Sequence, residues 1–161
     1  MAAGKKQEKP KGPPSIENKK ARHNYEILET IEAGIALLGT EVKSLRAGQA
    51  SMGDAYAVPR NGEMYLVNLH IQPYQSAGAF NHEETRSRRL LLKKSEIQKY
   101  TARIQEKRLT MVPLKLYFNQ KGIVKVLLGL GRGKKLADHR ETEKKTQAKR
   151  EIERALRHAN R

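Results

Sequence analysis

Of the 60 apolar residues in this 161-residue chain, 49 fall between residues 21 and 130, four lie before them and seven after. Burial of apolar surface is what offsets the entropy of ordering a chain, about 1–2 kcal/mol per residue for the backbone alone. The middle stretch has a globular proportion, whereas the two ends, with 11 apolar residues in 51, are too poor to fold on their own. The pattern predicts one domain over 21–130 between a basic N-terminal arm, 1–20, expected to be disordered, and a basic C-terminal tail, 131–161, expected to be disordered or helical on binding. Pro10, Pro13 and Pro14 stand among the lysines of the arm, and order is expected to begin near Ala21.

Within the domain, short β-branched runs alternate with turn signals. Residues 24–38, broken by Ala33-Gly34, predict two strands or one bent strand. Thr40 is expected to cap a short helix through Arg46, with Glu41 in its first turn and Gly48 as its stop. Asn61-Gly62 predicts a tight hairpin within 55–71, whose second strand puts Tyr65, Val67 and Leu69 on a wholly apolar face. A polar loop over 72–89 carries Arg86, Arg88 and Arg89, and a helix is expected over 90–107 with Leu90, Ile97, Tyr100 and Ile104 near one face. Two last strands, near 110–119 and 124–130, flank a turn at Gln120-Lys121-Gly122. Five or six strands with two helices predict a mainly β fold, a compact antiparallel barrel.

The charge follows a different partition. With 33 Lys and Arg against 17 Asp and Glu the chain carries +16, of which +4 lies in the arm, +6 in the domain and +6 in the tail. Such an excess needs an anionic partner. No apolar run approaches the roughly 18–20 residues that cross a bilayer, and the N-terminus lacks the apolar stretch of a signal peptide, so a soluble, cytoplasmic protein without membrane contact is expected. The absence of Cys excludes disulfides, thiolate zinc sites and cysteine nucleophiles.

Catalytic chemistry finds little support. The five histidines show no metal-ligand spacing, Asn81-His82-Glu83-Glu84 lacks the second His of a zinc helix, and the histidines read as isolated surface residues. Gly129–Lys135 lacks the spacing and hydroxyl of a nucleotide-binding loop. It reads as a flexible exit from the last strand, whose glycines let backbone amides and Arg132, Lys134 and Lys135 approach a phosphate chain. No enzyme activity, cofactor or metal is expected. Nucleic-acid binding remains, without a zinc finger, a heptad-linked basic region or a helix–turn–helix pattern. The eight aromatics read as core or barrel surface more readily than as stacking platforms, which favours grip on a folded RNA through backbone and shape. In the tail, helix is expected from about Asp138, and Arg150, Arg154, Arg157 and Arg161 align along one face. That segment is either a helix that gains order against phosphates or a solvated charged helix with pairs such as Glu153–Arg157.

Several stretches resemble the small protein B family, the SsrA-binding proteins of bacterial trans-translation: 18–25, Glu32-Ala33-Gly34, Gly39-Thr40-Glu41-Val42-Lys43-Ser44-Leu45-Arg46-Ala47-Gly48, 88–92, 112–117 and Gly131-Arg132-Gly133-Lys134-Lys135. They are collinear over roughly 18–150 with family-typical spacing. The resemblance implies an oligonucleotide-binding-type barrel that binds the transfer-RNA-like domain of transfer-messenger RNA and brings it to stalled ribosomes. It implies partnership with elongation factor Tu and alanyl-tRNA synthetase through that RNA and contact with the ribosome's small-subunit RNA; a monomeric chain is expected.

Carried over by position, the RNA-contacting residues implied are Glu32, Leu91 and Lys125, with Lys93 where Asn or His is usual; Arg132, Gly133, Lys134 and Lys135 join them on the reading of the glycine-rich basic run. Glu32 is placed either to accept a hydrogen bond from the RNA or to orient an Arg, and Leu91 either to pack on a base or to fill the core. The implied tail enters the empty messenger channel and decoding site, with Asp138, His139, Arg140 and the arginine row in contact. Here Ala137-Asp138-His139-Arg140 stands where the family has an aromatic or His before Asp-Lys-Arg, so a contact at 137 passes to His139 or Arg140 or is lost. A structural ribosomal or other ribosomal-RNA-binding protein is the alternative that composition equally admits.

Overall fold

The computed structural model describes residues 12–160, apart from the side chains of 136–138. In chain order it contains β1 (Ile16–Glu17), α1 (Lys19–Asn24), β2 (Tyr25–Ile35), α2 (Gly39–Arg46), β3 (Ala50–Ser51), β4 (Tyr56–Arg60), β5 (Glu63–Val67) and β6 (His70–Ile71). A 3-10 segment (Gln75–Phe80) follows, then β7 (Arg88–Leu91), α3 (Lys94–Lys107), β8 (Thr110–Phe118), β9 (Val124–Gly133) and α4 (Leu136–Ala159). The fold is mainly antiparallel β. Because β8 pairs with β9 as well as β4, the order β8-β4-β5-β7-β2-β9 returns on itself and the sheet closes as a barrel. Closure leaves these six strands fewer open edges, and β1 adds to β8 further along. The interior is filled by alternate residues, with Val126, Leu128 and Leu130 of β9 facing Met64, Leu66, Leu90 and Met111, all buried. No helix among the described residues is long and apolar enough to cross a membrane.

The hairpin forms as expected, with Asn61 at φ 50° and Gly62 at φ 74° in the left-handed region. Other expectations are corrected. Structure begins before Ala21: Ile16 pairs with Leu116, and Asn18 is buried, its Nδ2 donating to the carbonyls of Met52 and Pro113 at 2.9 Å each. The same side chain's oxygen caps α1 by accepting from the Ala21 N–H at 3.0 Å. At α2 the N-cap position is Leu38, and the Thr40 hydroxyl is engaged instead with His82 Nδ1 at 2.9 Å. On β5 the inward residues are Met64 and Leu66 rather than Tyr65 and Val67; Asn68, at φ 59°, then shifts the phase so that Leu69 and Ile71 are buried. Leu90 belongs to a strand, because Arg88–Leu91 pairs with β5 and β2 before α3 begins at Lys94.

The glycines of β9 serve packing. The strand continues to Gly133, past the expected end at 130, and β2 bulges opposite it between Ile27 and Glu29. A Cβ on Gly131 would stand 2.3 Å from the Glu26 carbonyl oxygen, and one on Gly129 would stand 2.9 Å from Leu114 Cδ1. At Gly131 the strands approach too closely for a side chain, at Gly129 the space is taken by the Leu114 and Ile27 side chains, and Gly133 has open space around it. Gly131→Ala is expected to destabilise the protein by about 1–3 kcal/mol, since backbone must move to admit the methyl group, as denaturant unfolding would measure.

A buried charge cluster ties α2 to the loop before β7. Glu41 and Arg88 are both 0% exposed, and Arg88 Nε donates to Glu41 Oε2 at 2.5 Å. Arg88 also donates to the carbonyls of Leu69, Arg86 and Glu84, and Arg86 reaches Glu41 Oε1 at 2.6 Å. Burial pulls the Arg88 guanidinium pKa below its usual value, and the hydrogen bond and charge of Glu41 oppose that pull. His82 is likewise buried rather than on the surface, with Nε2 at 3.0 Å from the Ile71 carbonyl.

Candidate nucleic-acid interface

The strand registers bring dispersed residues onto one outward face. Gly34 on β2 lies between Leu91 on β7 and Lys125 on β9, and Lys125 in turn opposes Tyr117 on β8. Directly opposed residues share a face of a sheet, and so do residues two apart along a strand. Glu32 therefore stands beside this row, opposite Leu127, which opposes Lys115. Leu91, expected either on a base or in the core, is 49% exposed; its neighbour Leu90 fills the core. Gly34 forms a close floor beneath it, since a Cβ there would meet Leu91 Cβ at 3.1 Å.

The partner of Glu32 is a phenol. Tyr117 donates its hydroxyl hydrogen bond to Glu32 Oε2, so the ring spans β9, and Lys115 Nζ lies 5.7 Å from the ring centroid. Burial and the bond to Glu32 push the Tyr117 phenol up to about 12, which keeps it protonated and donating at neutral pH. Sequence reasoning missed Tyr117, Lys115 and Leu127. The turn at 120–122 held the signal, because counting outward from it opposes Tyr117 to Lys125.

Lys93 is exposed two residues beyond Leu91, its backbone N–H donating to Glu96 at the start of α3. Arg132 lies toward the far end of β9, where it pairs with Glu26 at 3.0 Å, and Gly133 opposes Tyr25. Lys134 donates its backbone N–H to Asn24 and its ammonium to Thr142 at 3.1 Å, and Lys135 is exposed. These four residues thus cluster at the root of α4, apart from the Lys125 row. Helix α4 docks on α1, where the rings of His23 and His139 are 5.1 Å apart and His23 lies 3.9 Å from Glu143. Arg140, Arg150, Arg154 and Arg157 are exposed, and no ion pair among the described residues joins Glu153 to Arg157. Ile152 and Leu156 of the same helix are exposed too. Asp138 falls within α4 at a position whose side chain is not described, and Arg161 lies outside the described residues. No group of three or more His, Asp or Glu side chains among the described residues could hold a metal ion.

A closed small barrel with cations, a leucine and a tyrosine on one outward face, extended by a charged helix with seven basic and five acidic residues, defines a barrel protein of the nucleic-acid-binding class. A family model described as SmpB protein matches residues 15–158. SsrA-binding proteins are similar to the chain throughout: that of Synechococcus elongatus is 56% identical over 144 residues, covering 89% of this chain and 93% of the relative. That of Gloeobacter violaceus is 57% identical over 142 residues (88% and 93%), and that of Chlorobaculum tepidum 53% over 149 (92% and 95%). A solved structure described as "tmRNA-SmpB: a journey to the center of the bacterial ribosome" superposes with a TM-score of 0.65 at 54% identity, covering 76% of this chain and 86% of that one. The chain belongs to the SmpB family.

Proposed function

We propose that this protein is a non-enzymatic RNA-binding adaptor that binds the transfer-RNA-like domain of transfer-messenger RNA and delivers it to stalled ribosomes for trans-translation. The observation that carries the reading is the outward row Leu91–Gly34–Lys125–Tyr117 with Glu32 beside it, a surface offering an apolar platform, a cation and a directed acceptor on neighbouring strands of one face. Family membership supports it, as do relatives named for binding SsrA RNA and a structural neighbour described with that RNA at the bacterial ribosome. In this reading the RNA-binding body extends past the expected 21–130, from β1 through β9, with Lys93 at the edge of its face, and the residues beyond Gly133 form the ribosome-directed tail. Arg132, Gly133, Lys134 and Lys135 carry RNA contact to the tail's root. Asp138, His139, Arg140, Arg150, Arg154, Arg157 and Arg161 then follow the empty messenger channel to the decoding site. Elongation factor Tu and alanyl-tRNA synthetase join through the RNA, and the protein works as a cytoplasmic monomer.

Reversing Lys125 to Glu tests the body. The residue is partly exposed on the outer face, so the unfolding midpoint is expected to hold. Affinity for the RNA domain is expected to fall at least tenfold at moderate salt, with a shallower salt dependence, because a phosphate contact is replaced by repulsion. Unchanged binding in a filter assay would remove Lys125 from the interface.

A further inference from the structure

We infer that Tyr117 is a positioning residue: it holds the Glu32 carboxylate so that its second oxygen meets the amino or imino N–H edge of an unstacked RNA base lying on Leu91 and Gly34. The inference rests on the proposed reading of this face as the transfer-messenger RNA surface and adds to it a base-reading position.

The charge of Glu32 is out of place on this face. A carboxylate on a surface that receives a polyanion repels it, and an exposed carboxylate near lysines ordinarily pairs with one. Glu32 is exposed beside Lys115 and Lys125, yet no ion pair among the described residues includes it. Its partner is the uncharged Tyr117 hydroxyl at Oε2, and Oε1 has no partner among the described residues. The carboxylate thus has one oxygen fixed by Tyr117 and one without a partner among the described residues. A phosphate cannot use that oxygen, whereas the exocyclic amino group of cytosine or adenine, or the imino and amino groups of guanine, can donate to it.

The platform beside it has the matching shape. Leu91 lies against Gly34, which has no side chain of its own to raise the surface. Glu32 is two residues before Gly34 on β2, and Leu91 is the cross-strand partner of Gly34, so Leu91 and Glu32 are diagonal neighbours about 7–8 Å apart. A base resting on Leu91 therefore points an edge at Glu32, and Lys125, across Gly34, faces its phosphate. Single-stranded or looped nucleotides supply such unstacked bases, and apolar packing with a hydrogen bond to the edge is how they are read.

The test uses the full chain and a transcript of the transfer-RNA-like domain, with binding measured across a salt series and thermal unfolding recorded for each variant. Tyr117→Phe is expected to weaken binding about five- to tenfold, a hydrogen bond to a charged group, with the salt slope unchanged. Glu32→Ala is expected to weaken binding further even though it removes a negative charge from a cationic face, and Tyr117→Phe/Glu32→Ala to be no weaker than Glu32→Ala alone. Unchanged affinity for Tyr117→Phe, or losses that simply add in the double variant, would overturn the positioning role. Tighter binding by Glu32→Ala would show a merely repulsive charge and overturn the base contact. In either case a weakened Lys125→Glu leaves the RNA face standing; if that variant also binds normally, the face itself is wrong.

Discussion

A chain ending at Lys135 is expected to retain the affinity of the full protein for the transfer-RNA-like domain and to support no tagging on stalled ribosomes. The position of the cut follows from the fold. A deletion starting at 132 would remove Arg132 and Gly133, which pair with Glu26 and Tyr25 in the ring of strands, and would confuse loss of the tail with loss of the barrel's closure. Cutting after Lys135 leaves β9 and the Lys134 hydrogen bond to Asn24 intact and removes only α4. Helix α4 touches the body at α1, through His23, rather than at the Lys125 row, so the body's RNA face is left as it was. What is lost is eight basic groups, among them a row of guanidiniums that the described residues leave facing solvent. Filter binding and a reconstituted translation reaction on a message lacking a stop codon measure the two properties. Loss of both together would refute the division of labour between body and tail.

The second large effect is on stability. Glu41→Ala is expected to cost about 3–5 kcal/mol in denaturant unfolding, because it strands Arg88 as a buried cation without its carboxylate. The three carbonyls that accept from Arg88 satisfy three of its five N–H donors and carry no compensating charge. Arg86→Ala should cost less than half as much: its side chain is 31% exposed, so water takes over part of its role, and Glu41 keeps the stronger-held partner. The same cluster joins α2 to the 84–88 segment that leads into β7, and so it anchors the strand that presents Leu91. Equal costs for the two substitutions would refute the dominance of the buried Glu41–Arg88 pair over the partly exposed Arg86.

What the sequence made legible was governed by neighbours in the chain. Asn61-Gly62 demanded a left-handed turn wherever it lay, and the turn near Gln120–Gly122 set a hairpin whose pairing can be counted outward. Ile97, Tyr100 and Ile104 recur at helical spacing and do face inward on α3. Misreadings came from partners distant in sequence. Leu90 fits the stripe of the following helix, and only pairing with Met64 and Ile35 makes it a strand residue. Arg88 looked like a loop cation because the carboxylate that allows its burial is 47 residues away. Gly129 and Gly131 looked like flexibility, yet Gly131 makes room for the backbone of the bulged neighbouring strand and Gly129 for the Leu114 and Ile27 side chains. At the interface the resemblance supplied Glu32, Leu91 and Lys125 as separate positions. Their convergence on one face, and the tyrosine that joins it, required strand register, which local pattern does not encode.

The span of β9 from Lys125 to Gly133 makes that strand a ruler. Eight residues of extended chain measure about 26 Å, and the strand is held on both sides by β2 and β8, so the interval between the RNA face and the root of α4 is set by covalent geometry. Nothing in it can stretch as a linker would. One residue inserted into β9 would lengthen the interval by only about 3 Å, but it would turn every side chain beyond it to the opposite face of the sheet. The distance between the proposed RNA face and the root of the proposed ribosome-directed tail is thus built into a single strand, and the two can drift apart only if the barrel itself opens.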